Sequence, residues 1–373
     1  MKTKIRVILG TVIFLSVLAA GCGKITTTST SAASTVATLP TTGDYYWNPK
    51  PLLYDITSGP NRNLWFTDYN ANQIRKISSQ TGTITGNDIP TTVADPTAIT
   101  VGPDGNLWFT EFDGNKIGKI APQTGIIAEY DVPIANAQPT AITAGPDGNL
   151  WFTDLDGDKI GKISPKTGII TEYNANQIGI SPTPGFNTDT NLPTSSAYPF
   201  YNITAGTDGN IWFVEGGGNS IGKISPKTGV VTQYDVPTAD ADLGGIIAGP
   251  DGNIWFTEFE GNKIGKISPK TGVISEYDIP TANAQPTAIT TGPDGNLWFT
   301  ELAGNKIGKI SPKTGDITEY NVPVGNASPL AITIGPDSNL WFTEFGGIAG
   351  EAGTNIDKIS PSRGEFTEYP VVN

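Results

Sequence analysis

The chain has 373 residues, 23 of them basic and 36 acidic, for a net charge of −13. This acidic balance argues against a nucleic-acid binder, which needs a basic face. There is no histidine, so the commonest general base and the commonest metal-binding nitrogen are both missing.

The N-terminus reads as a leader. Lys2, Lys4 and Arg6 precede an apolar run from Val7 to Ala20, too short to span a bilayer comfortably. The run ends in "LAAGC", with small residues before Cys22, the only cysteine. This resembles a bacterial lipoprotein signal: residues 1–21 are removed and the Cys22 thiol is lipidated, giving an exported, membrane-anchored protein of the cell envelope. An ordinary signal peptide is the plainer alternative. A free thiol is a liability outside the cytosol. Residues 22–51 include "ITTTSTSAASTVATLPTTG", an uncharged Ser/Thr-rich stretch expected to act as a flexible tether.

From Leu52 the chain repeats. Trp-Phe recurs with its Trp at 65, 108, 151, 212, 255, 298 and 341, so that all gaps but one are 43 residues. Such a period marks a repeat architecture. Seven units account for nearly all of residues 52–373. In the unit from Pro139, "PTAITAG", "NLWFTD", "KIGKIS" and "IITEY" read as four short strands, separated by the turns "GPDGN", "LDGD" and "PKTG". No segment has a sustained helical period. The predicted fold is all-β, a seven-bladed β-propeller of four-stranded antiparallel blades; a β-helix is the second choice. Both end units keep the full apolar pattern, which favours closure over an open stack with polar caps. Adjacent Trp and Phe point to opposite faces of a strand, so each pair can fill both blade interfaces. The tail "EFTEYPVV" is expected to supply the last blade's fourth strand, with "STVATLPTT" as a competitor for that edge.

In a ring of copies, function belongs where the copies differ. One insertion lies between Tyr173 and Tyr201, joining units 3 and 4; another, "EFGGIAGEAGTNI", lies in unit 7 between its second and third strands. In an up-and-down blade both connections emerge on one face, here the insertion face. Insertions confined to one face often mark a binding face, although loops also grow neutrally. On the same face each Trp-Phe is followed by an acid: Asp68, Glu111, Asp154, Glu215, Glu258, Glu301 and Glu344. Such a ring could form a negative funnel for a cation. The symmetric alternative is that each acid serves its own blade, bonding turn amides or a lysine such as Lys116, Lys159, Lys263 or Lys306. A third set enters the innermost strands: Tyr54, Thr97, Thr140, Tyr201, Gly244, Thr287 and Leu330. Its two tyrosines break the symmetry, either to stack on a ligand or to plug the channel. Walker, dinucleotide and G-x-S-x-G motifs are absent, and the "DGN" turns lack EF-hand spacing.

The repeat wording, as in "PTAITAGPDGNLWF" from Pro139 and "GNKIGKISPKTG" from Gly261, resembles that of the virginiamycin B lyase (streptogramin lyase) family, over essentially all of residues 52–373. The resemblance implies a seven-bladed propeller and an Mg²⁺-assisted carbon–oxygen lyase that opens a cyclic depsipeptide antibiotic, a route to antibiotic resistance. It also implies a histidine base with nearby glutamates. The matching positions here hold Thr287 and Leu330 for the histidines, and Ser328 and Phe345 for the glutamates. None of these can take a proton from carbon at neutral pH. The expectation is therefore a monomeric ligand- or protein-binding propeller without the family's catalytic histidines. The alternative is a lyase or lactone hydrolase using carboxylates and a divalent cation.

Overall fold

The computed structural model describes residues 51–155, 159–174, 202–215, 219–345 and 355–372; for Glu215 it describes the backbone alone. Cys22 and Tyr201, both inserted segments and the "STVATLPTT" stretch lie outside the described residues. Residues 49–373 form a compact unit, which contains the twenty-eight strands found among the described residues. They make seven four-stranded sheets, each in strand order 1-2-3-4 and antiparallel throughout. The blades run Leu53–Asp88, Pro96–Asp131, Pro139–Asn174, Ile203–Asp235, Leu243–Asp278, Pro286–Asn321 and Pro329–Pro370. First strands of neighbouring blades pack together around the centre, so the fourth strands form the outer rim. The chain is a seven-bladed β-propeller, as the period implied.

Each interface is built from one Trp and one Phe. Trp108 of blade 2 meets Phe152 of blade 3, Trp255 meets Phe299, and Trp298 meets Phe342. The series closes where Trp341 of blade 7 packs with Phe66, Leu53 and Ile56 of blade 1. The tail strand Phe366–Pro370 pairs with Asn355–Ile359 and completes blade 7. Closure therefore rests on side-chain packing between blades, each blade being one contiguous segment.

The Phe ring needs a floor without a side chain. Phe109, Phe152, Phe213, Phe256 and Phe299 lie over Gly118, Gly161, Gly222, Gly265 and Gly308. A Cβ at Gly265 would stand 2.1 Å from the Phe256 ring. Blades 1 and 7 depart from this rule, placing Arg75 opposite Phe66 and Asp357 opposite Phe342.

Polar belts reinforce the interfaces. The first strand bulges after its opening residue, and the second-strand Thr fills the gap: Thr110 Oγ1 accepts the Ala98 N–H at 2.9 Å and donates to Thr97, whose own hydroxyl donates to the Thr140 carbonyl of the next blade at 2.9 Å. Blade 4 reads "WFVE" where the others read "WFTE" or "WFTD". Val214 has no hydroxyl to offer; the first strand there is only Ile203–Ala205, and the Val214 N–H goes to the Asn202 carbonyl instead. The blade-to-blade connections are latched by asparagines. Asn115, held at a φ of 54° that Asn tolerates better than most residues, donates to the Ile134 carbonyl and accepts the Ala137 N–H.

Substituting Gly265→Ala forces the added methyl into the Phe256 ring and should destabilise the ring by about 1–3 kcal/mol, read as a lower denaturant midpoint with an unchanged m-value. The same change at Gly105, whose Cβ would meet nothing within 4 Å but which has a φ of +76°, should cost only its backbone strain.

Candidate functional site at the channel mouth

The strands flanking both insertions end on the same side of the disc. Asn174 ends a fourth strand, and Glu344 ends a second strand. That side also carries the residues opening each innermost strand.

The threonines of this set are spent on structure. Thr97 is buried, shares a 2.8 Å hydrogen bond with Thr110 and donates to the Thr140 carbonyl at 2.9 Å. Thr140 is paired with Thr153 at 2.8 Å. Thr287 shares a 2.6 Å bond with Thr300 and donates to the Leu330 carbonyl at 2.8 Å. Gly244 leaves no room for a side chain, since a Cβ would meet Thr257 Oγ1 at 2.5 Å. Leu330 belongs to a small apolar cluster with Phe259 and Leu302, against which Tyr54 and Phe345 pack. The positions that the resemblance assigns to the family's histidines and to one glutamate thus form a hydroxyl–carbonyl belt and an apolar layer. A leucine and a phenylalanine cannot ligate a cation, so the Mg²⁺ of that resemblance does not fit these four residues. Among the described residues no group of three or more acidic or thiol side chains gathers in a way that could hold a metal ion.

Six of the seven acids, all but Glu215, sit between blades. Asp68, Glu111, Glu258, Glu301 and Glu344 have no exposure, and Asp154 is buried. They share the strand face of the Trp-Phe phenylalanine, turned to the preceding blade; at Gly114 a Cβ would stand 2.9 Å from Glu111 Oε2 and 3.2 Å from Ala94 of the connection entering blade 2. Asp68 pairs with Arg75 at 3.1 Å and accepts the Ala71 N–H. The lysines engage fourth-strand acids rather than the ring: Lys306 with Glu319 at 2.9 Å, Lys263 with Glu276 at 3.0 Å, and Lys116 with Asp131 at 2.8 Å. Burial, then the nearby fourth-strand carboxylate, pushes Glu111 and Glu301 up to about 8 and Glu258 up to about 7. Buried carboxyl groups of this kind are held largely in the neutral form near pH 7.

Blade 7 concentrates this effect. Asn355 stands where blade 6 has Lys306, and Asp357 where it has Gly308. Two fully buried carboxyl groups, Glu344 and Asp357, therefore share one sheet face without the lysine that blades 2, 3, 5 and 6 provide. Burial pushes Asp357 up to about 9, with the Glu344 charge second, and burial raises Glu344 to about 7. The sequence signal for Asp357 was an acid in the glycine column, a position the acidic-ring pattern does not scan.

The sector between blades 7, 1 and 2 gathers the remaining irregular residues. Tyr54 lies 5.1 Å from Tyr69 and 5.9 Å, edge-on, from Phe345. Asp95, at a φ of 52°, hydrogen-bonds Tyr69 and faces Asp113; burial first, against the Tyr69 bond, lifts its carboxyl to about 6. Burial and the Asp95 charge push the Tyr54 phenol up to about 12 and raise Tyr69 as well. At pH 7 both phenols are hydrogen-bond donors, and Asp95 is mostly ionised, an acceptor and a competent proton base. Tyr69, Asp95 and Asp113 escaped the sequence reading; the clue was Asp95 where blades 3 and 6 carry Gln138 and Gln285.

The raised carboxyl groups set a sign for stability. The folded state binds their protons more tightly than the unfolded chain, so the stability they carry is full below about pH 4 and is eroded as pH rises through their folded values. The melting temperature should fall between pH 5 and pH 9, and Asp357→Asn with Glu344→Gln should flatten that fall; an equally steep fall in the double variant would assign the effect elsewhere.

The model of the virginiamycin B lyase family matches residues 19–173 and 169–373. The virginiamycin B lyase of Staphylococcus aureus is 38% identical, with a TM-score of 0.69 over 80% of this chain and 93% of that one. A streptogramin B lyase structure is 41% identical, with a TM-score of 0.69 over 80% and 92%. A catalytically inactive histidine-to-alanine variant of the Staphylococcus aureus enzyme, solved with quinupristin, is 38% identical, with a TM-score of 0.68 over 80% and 93%. None of the curated proteins matches the chain. With most of its length matched by the family model and by relatives near 40% identity, this chain belongs to the virginiamycin B lyase family.

Proposed function

We propose that this chain is an exported, lipid-anchored propeller that binds a cyclic-depsipeptide-type ligand at the insertion-face mouth, without the family's histidine-based elimination. The observation that carries this reading is the replacement at the four family positions. Thr287 and Leu330 have no titratable side chain, and Thr287 is committed to Thr300 and the Leu330 carbonyl. Recognition is assigned to Tyr54, Tyr69 and Phe345 as aromatic walls and to Asp95 as the polar contact. Aromatic side chains with a polar tip suit a ligand that is mostly apolar with a few hydrogen-bonding groups. Anchoring through Cys22, monomeric state and export belong to the same proposal, supported by the leader and tether composition.

A second reading is favoured by one feature: Asp95, half-buried and lifted to about 6, has the proton affinity of a general base near neutral pH. Ring opening by elimination leaves the ligand mass unchanged and creates a new alkene, whereas hydrolysis adds the mass of one water. Incubation with quinupristin and Mg²⁺, followed by mass spectrometry and proton NMR, separates these outcomes. We expect an intact ring, retention of quinupristin by the protein, and about tenfold weaker retention for Tyr54→Ala, the usual loss for an anchoring aromatic. A linear product that disappears in Asp95→Asn would make the protein an enzyme. Failure to retain quinupristin with no product formed would remove depsipeptides from the proposal.

A further inference from the structure

The face opposite the insertions carries the turns between first and second strands and between third and fourth strands. Four exposed β-branched residues stand at one position of the latter turns on four consecutive blades: Ile126, Ile169, Val230 and Val273, at 69%, 66%, 61% and 62% exposure. Blades 6, 7 and 1 place Asp316, Glu365 and Thr83 there. The turn is the same in all of these, with a positive-φ glycine just before the residue, as at Gly168, Gly229, Gly272, Gly315, Gly364 and Gly82. The fold therefore accepts acid or hydroxyl at this position, and packing does not demand the apolar residues of blades 2 to 5.

Charge overlaps this sector. Three residues before the tip position, blade 6 carries the exposed Lys313 but has Asp316 at the tip, whereas blades 3, 4 and 5 carry an exposed lysine with no acid at the tip, Lys166, Lys227 and Lys270. Each of these blades also has a lysine over its tryptophan (Lys162, Lys223, Lys266). Against each pair stands one aspartate of the first turn: Asp147, Asp208 or Asp251, bonded to the indole N–H. This face is thus net positive in blades 3 to 5 of a strongly acidic protein, while acids crowd the other face. Paired lysines and projecting aliphatic tips match the interfacial zone of an anionic bilayer, where the aliphatic group enters the headgroup boundary and the ammonium meets phosphate.

We propose that the turns of blades 3 to 5, with Ile126 of blade 2 at their margin, dock this propeller on an anionic phospholipid bilayer and direct the insertion face away from it. A tether of about thirty residues between Cys22 and the first strand reaches up to about 100 Å when extended, which is ample for an anchored chain to lie on this face. The inference does not depend on the ligand at the mouth.

Residues 49–373 contain every strand of the described residues and form a compact unit, so this piece, free of leader and lipid, is the protein to test. In flotation with vesicles of phosphatidylglycerol and phosphatidylcholine at low salt, it should bind, and it should not bind vesicles of phosphatidylcholine alone. Each lysine near the surface contributes about fivefold, so Lys166→Glu with Lys227→Glu and Lys270→Glu should lower binding by at least about a hundredfold. Ile169→Ser with Val230→Ser and Val273→Ser should weaken binding in a manner less sensitive to salt. Circular dichroism and quinupristin retention at the opposite face report whether the variants stay folded. No binding of the parent piece to anionic vesicles, equal binding to neutral ones, or binding unchanged in both triple variants would overturn the proposal, as would soluble-protein capture by these turns in place of lipid.

Discussion

One contact governs this molecule: the tryptophan of each blade against the phenylalanine of the next. The pair is adjacent in sequence, so strand geometry sends the two rings to opposite faces, and a single dipeptide serves two interfaces. The seven blade tryptophans are essentially without exposure, and each aromatic ring removes a large apolar area from water. Because Trp341 finds Phe66 as Trp108 finds Phe152, the seventh interface equals the others and no loose end remains. The glycine floor, the threonine belt and the asparagine latch all follow from bringing these surfaces together: the first admits the ring, and the others satisfy backbone groups that the blade connections would otherwise bury without partners.

The fold was legible in the sequence because it depends on period and alternation, which a repeat displays many times over. The site was much less so. Scanning for what repeats finds the acidic ring, yet its members are buried between blades, since an acid at the end of the second strand faces the preceding blade's connection. Scanning for what differs finds Tyr54 but passes over Asp95, in a column shared by Asp242, Gln138, Gln285 and Ser328, and Asp357, an acid in a column that is Gly in blades 2 to 6. Their meaning lies in three-dimensional neighbours, Tyr69 and Asp113 for one and Glu344 for the other, which come from distant points of the chain. Thr97, Thr140 and Thr287 were candidates by position alone. Their second-strand hydroxyl partners, thirteen residues away in each case, explain them without a ligand.

Buried acids need separate interpretation here. A raised carboxyl in a cleft is often a functional signal, but five of the seven ring acids are raised by the same surroundings, Asp68 included, and a cause common to all blades explains all of them. What distinguishes Asp95 is its company: two phenols and a second carboxyl at the open mouth, rather than an interface shared with a glycine turn. What distinguishes Asp357 is a second buried carboxyl beside Glu344, in the place of a glycine and in a blade that lacks the lysine, which turns one blade's interface into a proton-holding pair.

The two sides of the disc divide their work by connection type. Connections between blades, and between second and third strands, lengthen without disturbing the sheets, so that side can acquire insertions and irregular side chains. On the other side the first turn of blades 2 to 7 is held by the Asp–Trp bond, which blade 1 lacks with Asn61 in place of the aspartate, and the turn between third and fourth strands keeps a positive-φ glycine while the exposed residue after it varies. Variation there is consequently read as surface chemistry. A run of four aliphatic tips followed by Asp316 and Glu365 is a change of surface on an unchanged scaffold, and a scaffold that keeps its turns while changing only what they present has been fitted to something outside itself.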